Sequence, residues 1–201
     1  MLQHVLRGLI IAMLAFTMRS GAVLADPFED GESALFGGDY ATALSIWRPL
    51  AEHGNANAQF RLGLSYAVGL GVSKNLDEAV KWYQLSATQG NSNAQINLAL
   101  MYASGEGVTQ DFKEALKLFR LSAAQGDAGS QSALGWFYAE GKGTDQDYAR
   151  AHMWYDIASS NGFNNSKTLR DIIFAKMTKK QIANAQAMAR KCRASNYKQC
   201  D

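Results

Sequence analysis

The chain has 201 residues, 47% of them hydrophobic, which is enough apolar material for one packed domain without help from a metal or many disulfides. Its 20 basic residues face 18 acidic ones, and the first 25 residues hold two of the basic ones, Arg7 and Arg19, and no acid. The remainder is therefore formally neutral, which excludes the basic excess that binding a nucleic-acid backbone requires.

Residues 1–25 read as a secretory signal peptide. His4 and Arg7 precede an apolar run from Leu9 to Phe16, and small residues lead to Ala25 before Asp26-Pro27. The run is about half of the roughly 20 apolar residues a spanning helix needs, so no stable membrane span is expected. Cleavage is expected after Ala25, with Ala22 as the alternative. No cysteine stands near that junction to carry a lipid. A periplasmic or secreted protein follows.

Beyond the leader, Gly54, Gly90, Gly126 and Gly162 recur every 36 residues. Tyr66, Tyr102, Tyr138 and Phe174 keep the same step, as do Trp47, Tyr83, Phe119 and Tyr155, and Leu62, Leu98 and Leu134. Each unit reads as two helices. The first runs from about Ala58 to Ala67 in the leading full unit, with Leu62 and Tyr66 on one face. A Gly-x-Gly (Gly69/Gly71, Gly105/Gly107, Gly141/Gly143) then stops the helix through positive φ angles. Asn75, Asp111 and Asp147 are placed to cap the second helix, with Glu78 and Glu114 placed to complete capping boxes. That second helix is expected to bury Ala79, Trp82 and Tyr83 and to end at Gly90.

The run Ala58-Gln59-Phe60-Arg61-Leu62-Gly63-Leu64-Ser65-Tyr66, then Gly69-Leu70-Gly71-Val72 and Glu78-Ala79-Val80-Lys81-Trp82-Tyr83, resembles the Sel1-like repeat, a cousin of the tetratricopeptide repeat. The likeness recurs from Ala94 and from Ser130, and Gly38 to Leu44 with Trp47 resembles the second helix of a leading unit. After Asn165 it fades, because the Gly-x-Gly is missing and Arg170 stands at the core leucine position. The resemblance implies an all-α fold, a right-handed α-solenoid of about five antiparallel helix pairs. Its expected parts are a leading pair over 26–53, three repeats over 54–89, 90–125 and 126–161, and a degenerate repeat with a capping helix over 162–201. Thr178 with Gln181 forms a capping box for that last helix. A solenoid's terminal unit needs a polar outer face.

Chemistry is sparse. His53 aligns with Gln89, Gln125 and Asn161 at a helix end, and His152 aligns with Val80 and Leu116 at an apolar position. The Gly-x-Gly pairs follow no strand and lack the residues of a phosphate loop. Ser195-x-x-Lys198 matches an acylation motif of penicillin-interacting enzymes without its companion segments. Cysteine-rich relatives in this repeat superfamily have been assigned β-lactam binding or hydrolysis, but residues 28–175 contain no cysteine. No catalytic constellation, cofactor or metal is expected. Cys192 and Cys200, eight positions apart, are expected to close a disulfide in an oxidising compartment.

In stacked helix pairs the first helices line the concave side. The variable positions there are Arg61/Asn97/Ala133, Leu64/Leu100/Trp136 and Ser65/Met101/Phe137. Arg61, Asn97, Trp136 and Phe137 are the candidate groove residues, with one of the two aromatics open to a core role instead. As the resemblance implies for envelope regulators and adaptors, the expected function is a non-catalytic exported scaffold that binds a protein or peptide. The alternative is a cell-wall-directed protein that binds or hydrolyses β-lactam or peptidoglycan.

Overall fold

The structure is a computed structural model that describes residues 26–200. The leader and both expected cleavage positions lie outside the described residues. Ten helices and no strand occur among the described residues: α1 (Pro27–Phe36), α2 (Tyr40–Glu52), α3 (Ala56–Val68), α4 (Leu76–Thr88), α5 (Ser92–Ser104), α6 (Phe112–Ala123), α7 (Ala128–Glu140), α8 (Tyr148–Ser160), α9 (Asn165–Phe174) and α10 (Lys179–Ala194).

Each helix packs on its neighbour in the chain from α1 through α9, so pairs α1–α2, α3–α4, α5–α6 and α7–α8 stack into an α-solenoid. Helices α3 and α5 also touch directly, which puts the inner curve of the stack on the side of the first helices. The end departs from the pattern. Both α9 and α10 pack on α8, and they hardly meet each other.

The local chemistry of the repeat explains its geometry. Gly69, Gly105 and Gly141 end their helices in the left-handed region at φ 81°, 80° and 63°. The second glycine of each turn is pressed on the preceding unit: a Cβ at Gly143 would stand 2.4 Å from the Phe112 carbonyl oxygen. Asn75, Asp111 and Asp147 cap α4, α6 and α8, accepting from backbone amides of the first turn. The expected capping boxes at Glu78 and Glu114 do not form. Backbone N–H groups of Asn75 and Asp111 are already bonded to the carbonyls of Tyr66 and Tyr102 at 2.9 Å, so the glutamates turn to Lys81 and Lys117 instead. At α10 the Thr178–Gln181 box is present.

The core holds the aligned aromatics Trp47, Tyr83, Phe119 and Tyr155 together with Leu62, Leu98 and Leu134. Burial of each large apolar side chain contributes about 1.5–3 kcal/mol before entropy is charged against it. A polar ladder runs through this core. Buried Gln59, Gln95 and Gln131 donate to the carbonyls of Ala51, Ala87 and Ala123 in the preceding unit, and accept from Gln89, Gln125 and Asn161 in their own. A buried amide left unpaired would cost about 1–3 kcal/mol, so the ladder fixes how each unit sits on the last.

Candidate partner-binding face

Three columns of first-helix residues, each spaced by 36, have different fates. Ser65, Met101 and Phe137 are buried, and Arg61, Asn97 and Ala133 are half-buried. In the third column Leu64 is half-buried, but Leu100 and Trp136 are 53% and 42% exposed. Ile172 continues that column onto α9 and is 52% exposed, with Val68 open beside its first rung. The result is a ladder of apolar side chains along the inner face, a kind of surface that marks interaction sites.

The candidate residues separate on this geometry. Phe137 is a correction: at 2% exposure it lies in the core, its ring 5.5 Å from Phe119 and 6.2 Å from Phe112. Trp136 stands edge-on to it at 5.2 Å and reaches solvent. Helix geometry explains the difference, because 137 follows core Leu134 by three residues and stays on its side, whereas 136 follows by two and points about 200° around. Arg61 is a second correction. Its Nε donates to Glu32 at 2.6 Å, and its guanidinium sits 5.8 Å from the Trp47 ring, so it ties α3 to α1. The pair also cancels the charge at that end of the face.

Asn97 does line the face. It borders a cavity of about 490 Å³ between α3 and α5 with Leu64, Val68, Tyr83, Leu100 and Met101. Burial pushes the Tyr83 phenol up to about 12, against a smaller opposing effect of its hydrogen bond with Asn97. Sequence reasoning missed Val68 as a surface residue and Ile172 as the last rung. The 36-residue register carried the signal for Ile172.

The other sequence candidates are structural. The His53 ring sits on the Pro49 carbonyl at 2.7 Å, at the end of α2. Ser195 donates to the Cys192 carbonyl and accepts from the Gln199 amide, so the Ser-x-x-Lys match is a helix-end turn. Cys192 and Cys200 are disulfide-bonded, with Cα atoms 4.4 Å apart. His152 is buried, its Nδ1 has no hydrogen-bond partner, and burial holds its pKa below the usual value. No cluster of His, Cys, Asp and Glu among the described residues could hold a metal, and no described helix is long and apolar enough to cross a membrane.

Comparison with known proteins agrees with this architecture. A crystal structure of a Sel1 repeat protein from Oxalobacter formigenes superposes with a TM-score of 0.70 at 28% identity, covering 83% of this chain and 76% of that one. The crystal structure of c5321, a protective antigen present in uropathogenic Escherichia coli strains displaying an SLR fold, matches with a TM-score of 0.57 at 29% identity, over 78% of this chain and 42% of that one. DAP3-binding cell death enhancer 1 of Rattus norvegicus is 45% identical over 49 residues, 24% of this chain and only 10% of that protein. The Sel1 repeat family model matches residues 56–91, 92–127 and 128–163, each unit starting where α3, α5 and α7 start. With more than half of its residues in three such units, the chain belongs to the Sel1 repeat family, whose members generally serve as protein-interaction scaffolds.

Proposed function

We propose that the protein is a non-catalytic, exported scaffold that binds a segment of a partner protein along its first-helix face, in envelope signalling or regulation. The observation that carries this reading is the ladder Leu64, Leu100, Trp136 and Ile172, which presents one apolar side chain per unit along that face. Exposed aromatic and aliphatic anchors of this kind supply most of the affinity at peptide-binding surfaces. The expected ligand is a segment with apolar side chains at intervals that match the rungs. The disulfide suits an oxidising compartment and supports export. One relative is named for binding another protein, which supports a protein partner.

The test uses Trp136 as reporter, because Trp47, Trp82 and Trp154 are no more than 8% exposed. Peptides selected from a displayed library should shield Trp136 from acrylamide. They should also lose at least about tenfold in affinity for a Leu100→Asp, Ile172→Asp double variant, since a desolvated anchor is worth more than about 1 kcal/mol. Equal binding to both proteins, or binding that leaves Trp136 quenchable, would overturn the assignment.

A further inference from the structure

The last unit departs from the repeat in a way that gathers in one place. His152 takes the position of Val80 and Leu116, Arg170 that of Leu62, Leu98 and Leu134, and Asp171 that of Gly63, Ala99 and Gly135. In the earlier units all eight of those residues are buried and nonpolar. The three polar replacements converge, with Asp156, Phe174 and Gln186, on one cleft of about 530 Å³. The cleft exists because α9 and α10 both lean on α8 and leave space between them. Its size lies within the range of small-molecule sites.

Its interior is chemically differentiated. Arg170 Nη1 donates to Asp156 at 2.9 Å, while its Nε and Nη2 both donate to one oxygen of Asp171 at 3.1 and 2.9 Å. Asp156 is further held by Arg193 at 2.5 Å and is mostly shielded from solvent, whereas the Asp171 side chain is 59% exposed. One wall is apolar: the Phe174 ring is 48% exposed and stands 6.0 Å from the buried imidazole of His152. The Nε/Nη2 edge of Arg170 is thus engaged by a single carboxylate oxygen on an exposed rim residue, not by the two-oxygen fork that a guanidinium prefers.

We infer that this cleft binds a small zwitterion, a free amino acid with an apolar or aromatic side chain. The ligand carboxylate replaces Asp171 on the Nε/Nη2 edge of Arg170 as a two-oxygen fork. The released Asp171 carboxylate takes the ligand ammonium, and the side chain lies against Phe174 and His152. Charge balance favours this class over a simple anion. Arg170 and Arg193 are matched by Asp156 and Asp171 around the cleft, so an anion alone would strand the Asp171 charge, while a zwitterion leaves every charge paired. The inference does not depend on the first-helix face.

Titration calorimetry on the full protein with L-phenylalanine, N-acetyl-L-phenylalanine and L-phenylalaninamide tests it, since the two analogues each remove one charge. L-phenylalanine should bind with a dissociation constant of about 1 mM or tighter, and each analogue should bind at least about tenfold more weakly. Asp171→Asn, a change at an exposed side chain, should weaken L-phenylalanine but not the N-acetyl form. His152 and Phe174 resonances should shift on binding. No binding of phenylalanine, leucine or tyrosine up to about 10 mM would overturn the inference. So would analogues that bind as well as the amino acid, or shifts confined to residues around Trp136.

Discussion

The outer faces of α4 and α6 carry Asp77/Lys113, Lys81/Lys117 and Leu85/Leu121, all exposed to solvent. At the same positions α8 carries Ala149, Met153 and Ile157, which are 6%, 0% and 0% exposed. The three positions are spaced i, i+4, i+8 and form one face of a helix. In the middle units that face meets water; in the last it meets α10, whose Ala185, Ala189 and Cys192 are buried there and let the helices approach closely. A stack of repeats can therefore be ended by folding a helix back over the outer side of the last unit, as well as by making the terminal unit polar.

The comparison can be broken by exchanging residues between the two regions. Met153→Lys installs the residue of the middle units beneath α10 and should cost about 4 kcal/mol in urea unfolding, as an unpaired buried charge does. Lys117→Met, the reverse change on α6, should stay within about 0.5 kcal/mol. Comparable costs for the two would mean that α10 does not seal α8. Next in size is the clasp: replacing Cys192 and Cys200 with serine should lower stability by about 2–3 kcal/mol, the chain-entropy value for so short a loop. Mass spectrometry of the untreated protein should read two hydrogens below the dithiol.

A smaller effect separates the regions by pH. Burial lowers the His152 pKa, so the unfolded chain takes up a proton first, at about pH 6.5. Stability conferred by the neutral imidazole is complete above that pH and is lost as pH falls through the lowered folded value. His152→Leu should remove this slope. It should leave the acid-side loss that belongs to Asp156: burial raises that carboxyl, but Arg193 and Arg170 outweigh burial and hold it below its usual value. Stability from Asp156 is present above about pH 4 and disappears as pH falls through the folded pKa. Denaturant midpoints of both proteins between about pH 3 and 7.5 would show it. The least effect is expected for Leu85→Ser and Leu121→Ser, each within about 0.5 kcal/mol.

The helix pairs and their glycine turns were legible because the constraints that create them are local and repeat every 36 residues. The disulfide was legible for the same reason, its partners being eight positions apart. Phe137 shows a signal that was present and not applied, since its three-residue offset from Leu134 already placed it on the core side. Helix α8 is similar. Apolar or small residues cover most of its circumference from Ala149 to Ala158, leaving His152 and Asp156 together on one polar side, the mark of a helix covered twice. The Arg61–Glu32 pair had no such signal, because Glu32 lies outside the matched repeats and 29 residues away. The failed capping boxes depended on a backbone bond to the preceding tyrosine that no motif encodes.

The glutamine ladder has one more consequence. Gln95 faces Ala87 and Gln125 through the same bonds that Gln59 makes with Ala51 and Gln89, and Gln131 with Ala123 and Asn161. These three junctions thus share one plug and socket. Excising residues 92–127 brings Gln131 onto Ala87 with the connector intact, and duplicating them adds one more of the same joint. The length of the apolar rail can be changed by whole rungs without redesigning either end.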